Sequence, residues 1–351
     1  MLHLAKAAGL LSLCRALTSE TPRILCYHGG SLGDEHLFNP KLFMRGATFA
    51  RRIEWLHAMG FRSIDLDELV QSTQGKIVLG PRTVVVTFDD GWLSTAQCLL
   101  PHLDRFGFKS TLYLATKVFE AGTPVIDVTV NYLIWRSPLK KVRLGQPGMA
   151  SPPPGEWSLE TASDRRRLAE VMMARLKAID SDAKAVEGEL SLFADALSVA
   201  PQHVALASRR FHYMNRDELM AVARSGTSVE LHGHIHHYPI GQPEALREDV
   251  EACRKSILAV GLPRPRHYCY PSGVHDSNAA TVLSSMDVAS ATTCLGSSPK
   301  RAVNAGSLFE LPRFLDGEDV AMIEFEAEMS GLLHILRGWR ERLPNSRGRT
   351  T

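Results

Sequence analysis

The stretch that most constrains this chain is Thr83-Val84-Val85-Val86-Thr87-Phe88-Asp89-Asp90-Gly91-Trp92. Four β-branched residues in a row, Thr83 to Val86, predict a strand buried on both faces, as in the interior of a parallel sheet. Two adjacent carboxylates close that strand, and Gly91 lets the chain turn away. Successive strand residues point to opposite faces, so Asp89 and Asp90 diverge unless the strand ends before them. In α/β sheets and barrels, chemistry gathers beyond the carboxyl ends of the strands. The competing reading is a turn at Asp90-Gly91 with both acids solvated.

On either side of this strand the pattern alternates. Arg23 to His28 predicts a first strand, ending in Gly29-Gly30. Ala47 to Met59 has helical apolar spacing (Phe49, Ile53, Trp55, Leu56), with Gly60 as terminator. Phe61 to Leu66 reads as a strand, Asp67 to Val70 as the start of a helix, Ser94 to Phe106 as a helix and Ser110 to Ala115 as a strand. Strand and helix in turn argue for parallel strands with crossover helices. The rhythm breaks between about 125 and 211. There a Pro152 to Pro154 loop and a charged, helix-favouring run from Ser158 to Leu197 predict a helical insertion covering one side of the site. Within it, Asp164-Arg165-Arg166-Arg167 reads as a solvated helix face. The rhythm resumes at Asn215, an N-cap with Glu218 three residues on, for a helix to Arg224. Strands at Thr227 to Leu231, His267 to Tyr270 and Val288 to Thr293 follow, with helices at Glu244 to Val260 and Ala279 to Met286 between them. Leu308 to Phe314 is extended, and Glu324 to Arg342 is the last helix, which makes about seven strands in all.

Composition narrows the partners. Of 351 residues, 44% are hydrophobic and 22% charged, ample for a core, and a net charge of +2 gives no argument for nucleic acid or an acidic partner. Five arginines between Arg337 and Arg349 read as a frayed, solvated tail. The six cysteines show no C-x-x-C and no framework spacing, so they read as reduced, mostly buried thiols, which favours the cytoplasm. Met1 to Leu17 is too short and interrupted to span a membrane, and Arg15 falls where a signal peptide's apolar core should end. It reads as an amphipathic helix, and weak attachment to a membrane surface through it stays open.

The second informative stretch is Glu230-Leu231-His232-Gly233-His234-Ile235-His236-His237, four histidines in six positions directly after a strand. Imidazole suits zinc and other transition ions, and a carboxylate with two histidines is an open coordination set. A divalent ion held there, zinc in the first instance, can lower a water's pKa from 15.7 to about 7 and polarise a carbonyl. A second carboxylate can take the water's proton, so the paired Asp89 and Asp90 supply one base and one ligand. In an extended strand His232, His234 and His236 share a face, whereas a turn at Gly233 favours His232 with His236. The third stretch, Tyr270-Pro271-Ser272-Gly273, is a rigid turn able to aim a backbone N–H at an oxyanion, or a plain turn.

TFDDGW at Thr87 to Trp92, H-x-x-x-H at His232 to His236 and YPSG at Tyr270 to Gly273, in that order, resemble the NodB-type polysaccharide deacetylases. The likeness extends to ILCYH, to GFRSIDLDEL and to the LPR segment, and covers roughly Arg23 to Phe314. The resemblance implies a distorted (β/α) barrel of about seven strands that removes N- or O-acetyl groups from sugars with one divalent metal. Residue by residue, it implies Asp89 as base, Asp90, His232 and His236 as ligands, and the Ser272 N–H as oxyanion donor; Tyr270, Pro271 and Gly273 shape that turn. The expected organisation is an N-terminal helix over 1–20, the barrel with its insertion over 21–320, and a C-terminal helix and basic tail over 321–351.

Three departures stand out. Gly233 replaces the family's usual Ser or Thr, so the loop-orienting hydroxyl is missing, and Cys269 stands where an arginine is common. The late leucine-x-histidine motif that supplies the general acid is matched in letters only by Leu332-Leu333-His334, in a segment that reads as helical. His28 or His234 are the alternatives, and Arg313 is expected to orient a catalytic group on resemblance alone. The expected activity is deacetylation of an N-acetylated sugar or polysaccharide intermediate, by attack of metal-bound water with Asp89 as base. Two rivals are an amidohydrolase acting on a small cyclic amide or ureide, and an inactive carbohydrate-binding barrel. Family members work on both sides of bacterial membranes, so periplasmic or membrane-associated placement stays open.

Overall fold

In this computed structural model the described residues are 1–145, 155–204, 208–294 and 308–342. Eight short parallel strands form the frame: β1 (Arg23–Tyr27), β2 (Thr83–Asp90), β3 (Ser110–Leu114), β4 (Thr227–Leu231), β5 (His267–Cys269), β6 (Ser290–Thr293), β7 (Leu311–Pro312) and β8 (Phe314–Leu315). Each pairs with the next in chain order from β1 to β7, and β8 pairs back onto β1. Only Arg313 separates β7 from β8. One short segment therefore bonds β6 on one side and β1 on the other, and the ring closes with seven staves. The expected distorted barrel of about seven strands is the fold observed.

Alternation along β2 explains both faces. Val84, Val86 and Phe88 face outward into the main apolar core with Phe49, Ile53 and Leu56 of the Gly46–Ala58 helix, where Phe49 meets Tyr27 edge-on at 4.9 Å. Val85 faces the barrel interior with Ile24, Tyr113, Cys269 and Leu311. Parity then puts Thr87 and Asp89 on the inward face and leaves Asp90 to be turned by its own backbone.

Several expected elements differ in extent. Phe61 to Leu66 contributes only Arg62–Ser63, paired beside the start of β2, because Asp65 caps the Leu66–Thr73 helix through a reciprocal bond with Glu68. The N-terminal segment is two helices, Leu2–Ala7 and Leu10–Leu17, broken at Gly9 with φ 76°. Leu11 and Cys14 of the second pack on Ala327 and Leu332, while Leu4, Leu13 and Leu17 are exposed. The final helix is likewise two, Met322–Met329 and Leu332–Arg342, parted at Gly331 with φ 80°. No helix among the described residues is long and apolar enough to cross a membrane.

The insertion carries Ile126–Arg136, Ala162–Lys177 and Ala183–Ala196, but also an unforeseen antiparallel hairpin, Lys141–Leu144 with Gly155–Ser158. Val142 and Leu144 alternate inward, joining Val130, Leu133, Leu168, Met172 and Phe193 in a core separate from the barrel's. The Pro152 to Pro154 loop lies outside the described residues. Arg166 and Arg167 are exposed as expected, whereas Arg165 donates to the Ile134 carbonyl. Arg210, at the end of the insertion, ties it to the barrel by ion pairs to Asp34 and buried Glu35, and Tyr132 of the insertion donates to Asp34 at 2.6 Å.

Candidate active site

Every chemistry-bearing residue sits at or just past the carboxyl end of a barrel strand. Asp89, 1% exposed, faces inward from β2 and meets Arg313 from the β7–β8 junction in a bidentate pair, Nη1–Oδ1 2.6 Å and Nη2–Oδ2 2.7 Å. Nη1 also donates to Thr87 Oγ1 at 3.0 Å and Nε to the Thr293 carbonyl. Burial alone would depress the guanidinium's pKa, but Asp89 and the surrounding cysteines more than offset this and raise it. Cys269 Sγ is 2.9 Å from Arg313 Nη2, so an arginine at position 269 would need the space this guanidinium fills. Arg313 reaches this position from the β7–β8 junction, one strand beyond β6.

Asp90 escapes the strand parity through φ 78°, a left-handed conformation favoured by few side chains besides Asn and Asp. Its Oδ2 accepts from Trp92 Nε1 at 2.8 Å. Its Oδ1 makes no hydrogen bond, yet faces His232 Nε2 at 3.4 Å and His236 Nε2 at 3.2 Å. His232 Nδ1 lies 2.9 Å from the Cys269 carbonyl, a contact that requires the proton on Nδ1 and leaves the Nε2 lone pair free. His236, at φ 55°, turns back towards the same point. Three lone-pair atoms within 4.8 Å of one another repel unless a cation or proton lies among them. Burial opposes charge on Asp90 and His232. Their attraction outweighs it: His236 and His232 pull the Asp90 carboxyl well below its usual range, and Asp90 with Asp89 raises His232. The set fits a divalent ion. Two other clusters, Cys26–Asp89–Cys294 and Asp89–His232–Cys269, already hold the Arg313 cation among their atoms.

The loop carrying the histidines is held by a residue the sequence reading missed. Asp249, on the Pro243–Val260 helix, accepts from the N–H groups of His234 at 3.0 Å and Ile235 at 2.9 Å. Gly233 has φ 76°, and a Cβ there would lie 2.7 Å from Asp249 Oδ2. A side chain at 233 would be strained at this φ and would push the Asp249 carboxylate off the His234 and Ile235 N–H groups. Asp249→Ala is expected to weaken divalent-ion binding by roughly 10–100-fold, the usual cost of losing an outer-shell partner. Titration against a competing chelator, with circular dichroism to show the fold intact, checks this.

Of the candidate acids, His28 follows β1 and places Nε2 3.9 Å from Asp89 Oδ2, with Nδ1 buried and unpaired. His234 turns away, its Nδ1 2.9 Å from Thr116 Oγ1. His334 lies on the helix Leu332–Arg342 beside Arg23, at the opposite mouth of the barrel, where burial and Arg23 lower its pKa. It is not part of this site. Tyr270 donates to the Phe309 carbonyl at 3.0 Å and stacks on His275, which fixes the turn Pro271–Gly273, with Ser272 at φ 56°. Beside the metal-type set opens a cleft of about 790 Å³, walled by His234, His236, His237 and Tyr213 on the barrel side and by Asp127, Lys177 and Asp180 from the insertion.

A closed parallel barrel with a carboxylate–bis-histidine set and a buried acid–arginine pair at its strand ends defines the class. Comparisons with known proteins show what the chain is similar to. Residues 200–291 match the polysaccharide deacetylase family model. Over 95 residues the chain is 33% identical to YxkH of Bacillus subtilis (strain 168), which carries a polysaccharide deacetylase designation. That match spans 27% of this chain and 32% of the relative, so the chain matches about a third of that protein's length. Among solved structures, the Streptococcus pyogenes deacetylase PplD, in complex with acetate, superposes with a TM-score of 0.56 at 12% identity, covering 88% of this chain and 98% of its own. IcaB from Ammonifex degensii superposes at 0.54 and 14%, covering 89% and 96%. The resemblance to the NodB-type polysaccharide deacetylases therefore holds, in the pattern of residues 200–291 and in the fold. The matched segment includes His232, His236 and the Tyr270–Gly273 turn.

Proposed function

We propose that this protein is a metal-dependent hydrolase that removes the acetyl group from an N-acetylated sugar, within a polysaccharide or a sugar-linked intermediate. The observation that carries this reading is the convergence of Asp90, His232 and His236 beside Asp89, a second carboxylate held apart from that set by its bidentate pair with Arg313. Asp90, His232 and His236 would hold the divalent ion, zinc in the first instance, which supplies Lewis acidity to the acetyl carbonyl and acidity to water. Asp89 takes the proton of the attacking water, held in orientation by both nitrogens of Arg313. The backbone N–H of Ser272, in the turn fixed by Tyr270, would donate to the oxygen on which charge develops. His28 gives its proton to the leaving nitrogen as the C–N bond breaks, yielding acetate and a free amine. The cleft running from His236 to the insertion has room for sugars beyond the acetylated one, which favours a saccharide over a small cyclic ureide.

Elemental analysis of the purified protein together with Asp90→Ala and His232→Ala variants tests the assignment. About one equivalent of a divalent ion, lost in both variants, is expected for a three-ligand site. Acetate release from a panel of N-acetylated oligosaccharides, with the new amine detected in the product, tests the reaction. A reconstituted wild type that binds no metal, or that binds metal and releases no acetate from any member of the panel, overturns it.

A further inference from the structure

Three cysteines from three separate strands converge on one carboxylate. Cys26 on β1, Cys269 on β5 and Cys294 just past β6 place their sulfurs 3.5, 3.5 and 3.9 Å from Asp89 Oδ2. Nothing in the deacetylation described above uses a thiol. Arg313 Nη2 contacts Cys294 Sγ at 2.8 Å and Cys269 Sγ at 2.9 Å while also bonding Asp89. This nitrogen has two N–H bonds for three acceptors, so any change at sulfur is felt at the carboxylate. The three thiols are not equivalent. Cys26 and Cys269 are fully buried, and burial raises both their pKa values. Cys294 is only partly buried; hydrogen bonds from Cys26 and Cys269, with Arg313 alongside, lower its pKa far below that of a free thiol. A partly accessible sulfur that accepts a hydrogen bond from a guanidinium is the reactive kind, whereas a buried thiol without such a donor is inert.

We propose that Cys294 is a peroxide-reactive site whose oxidation to sulfenic acid switches the enzyme off by uncoupling Arg313 from Asp89. In the step, the Cys294 thiolate attacks one oxygen of hydrogen peroxide. The S–O bond forms as the O–O bond breaks, sulfur loses two electrons, and the second oxygen leaves as hydroxide. The added oxygen enters the gap between Cys294 and Asp89 and competes for Arg313, while the thiolate charge that helped hold the guanidinium is gone. Excess thiol reverses the change, as sulfenic acids are reducible.

The test exposes the full-length protein to limiting hydrogen peroxide with dimedone present and maps the adducts by mass spectrometry. Cys98, partly buried outside the cluster with its pKa raised by burial, is the internal control. Since an ordinary thiol is only a few per cent ionised near pH 7, Cys294 is expected to label about tenfold or more faster than Cys98. Labelling of Cys294 no faster than Cys98 overturns the proposal, whatever the protein's activity. The switch-off rests on the deacetylase reading. In the active protein, acetate release should fall in step with Cys294 oxidation and return with dithiothreitol, while Cys294→Ser keeps its own starting rate in peroxide. Equal loss in Cys294→Ser and wild type overturns the switch while leaving the deacetylase reading intact.

Discussion

Asp89→Asn is expected to lower turnover by about 10²–10⁴-fold, the range lost with a general base, without removing the bound metal. Metal content is spared because the ligand is Asp90, whose backbone at φ 78° sends its carboxylate to His232 and His236 while Asp89 points into the barrel. Asparagine keeps the shape of the side chain but cannot accept a proton, and its amide presents a donor to Arg313. Turnover per bound metal, measured with the melting temperature of the same preparation, separates lost chemistry from lost fold. Full activity in a folded, metal-loaded Asp89→Asn protein would remove Asp89 from the mechanism.

Arg313→Met should be the costliest single change to the fold around the site. Arg313 and Asp89 are 0% and 1% exposed, so deleting the guanidinium strands a charge inside the barrel. Breaking a buried pair from one side typically costs about 3–5 kcal/mol. Arg313 also holds the junction that closes the ring, through its bond to the Thr293 carbonyl. Urea unfolding of wild type, Arg313→Met and Arg313→Lys reads the cost. Lysine should recover only part of it, since one ammonium cannot make two parallel bonds to the carboxylate. A Arg313→Met protein as stable as wild type would mean that the pair contributes little net stability here. Because this change and Asp89→Asn act on one pair, their effects should not add, and the double variant measures the coupling.

What the sequence alone determined is what neighbours in the chain decide. The β-branched run from Thr83 announces a doubly buried strand because that pattern is set by solvent exclusion on both faces, and all of β2 is buried. The cap at Asn215 with Glu218 is readable because both partners lie within one turn, and both bonds form. The order of the three motifs, each after a strand, placed Asp89, Asp90, His232 and His236 near one another before any coordinates.

Tertiary structure decided between the two sets of histidines that residue spacing allowed at Asp90, because that depends on a turn held by Asp249 from the helix that follows it. Arg313 as the partner of Asp89, and the gathering of Cys26, Cys269 and Cys294 about the pair, are likewise products of ring closure. Inward parity shared with Ile24 and with Thr87 marks Cys26 and Asp89 as interior residues, yet parity says nothing about which strands face each other. The splits at Gly9 and Gly331 and the hairpin of the insertion escaped for a related reason. An isolated glycine within an apolar helical pattern is compatible with continuation or a break, and packing against other elements chooses between them. Sequence patterns report local periodicity and solvent exclusion; convergence of side chains from separate strands is set by how the barrel closes, which no local pattern encodes.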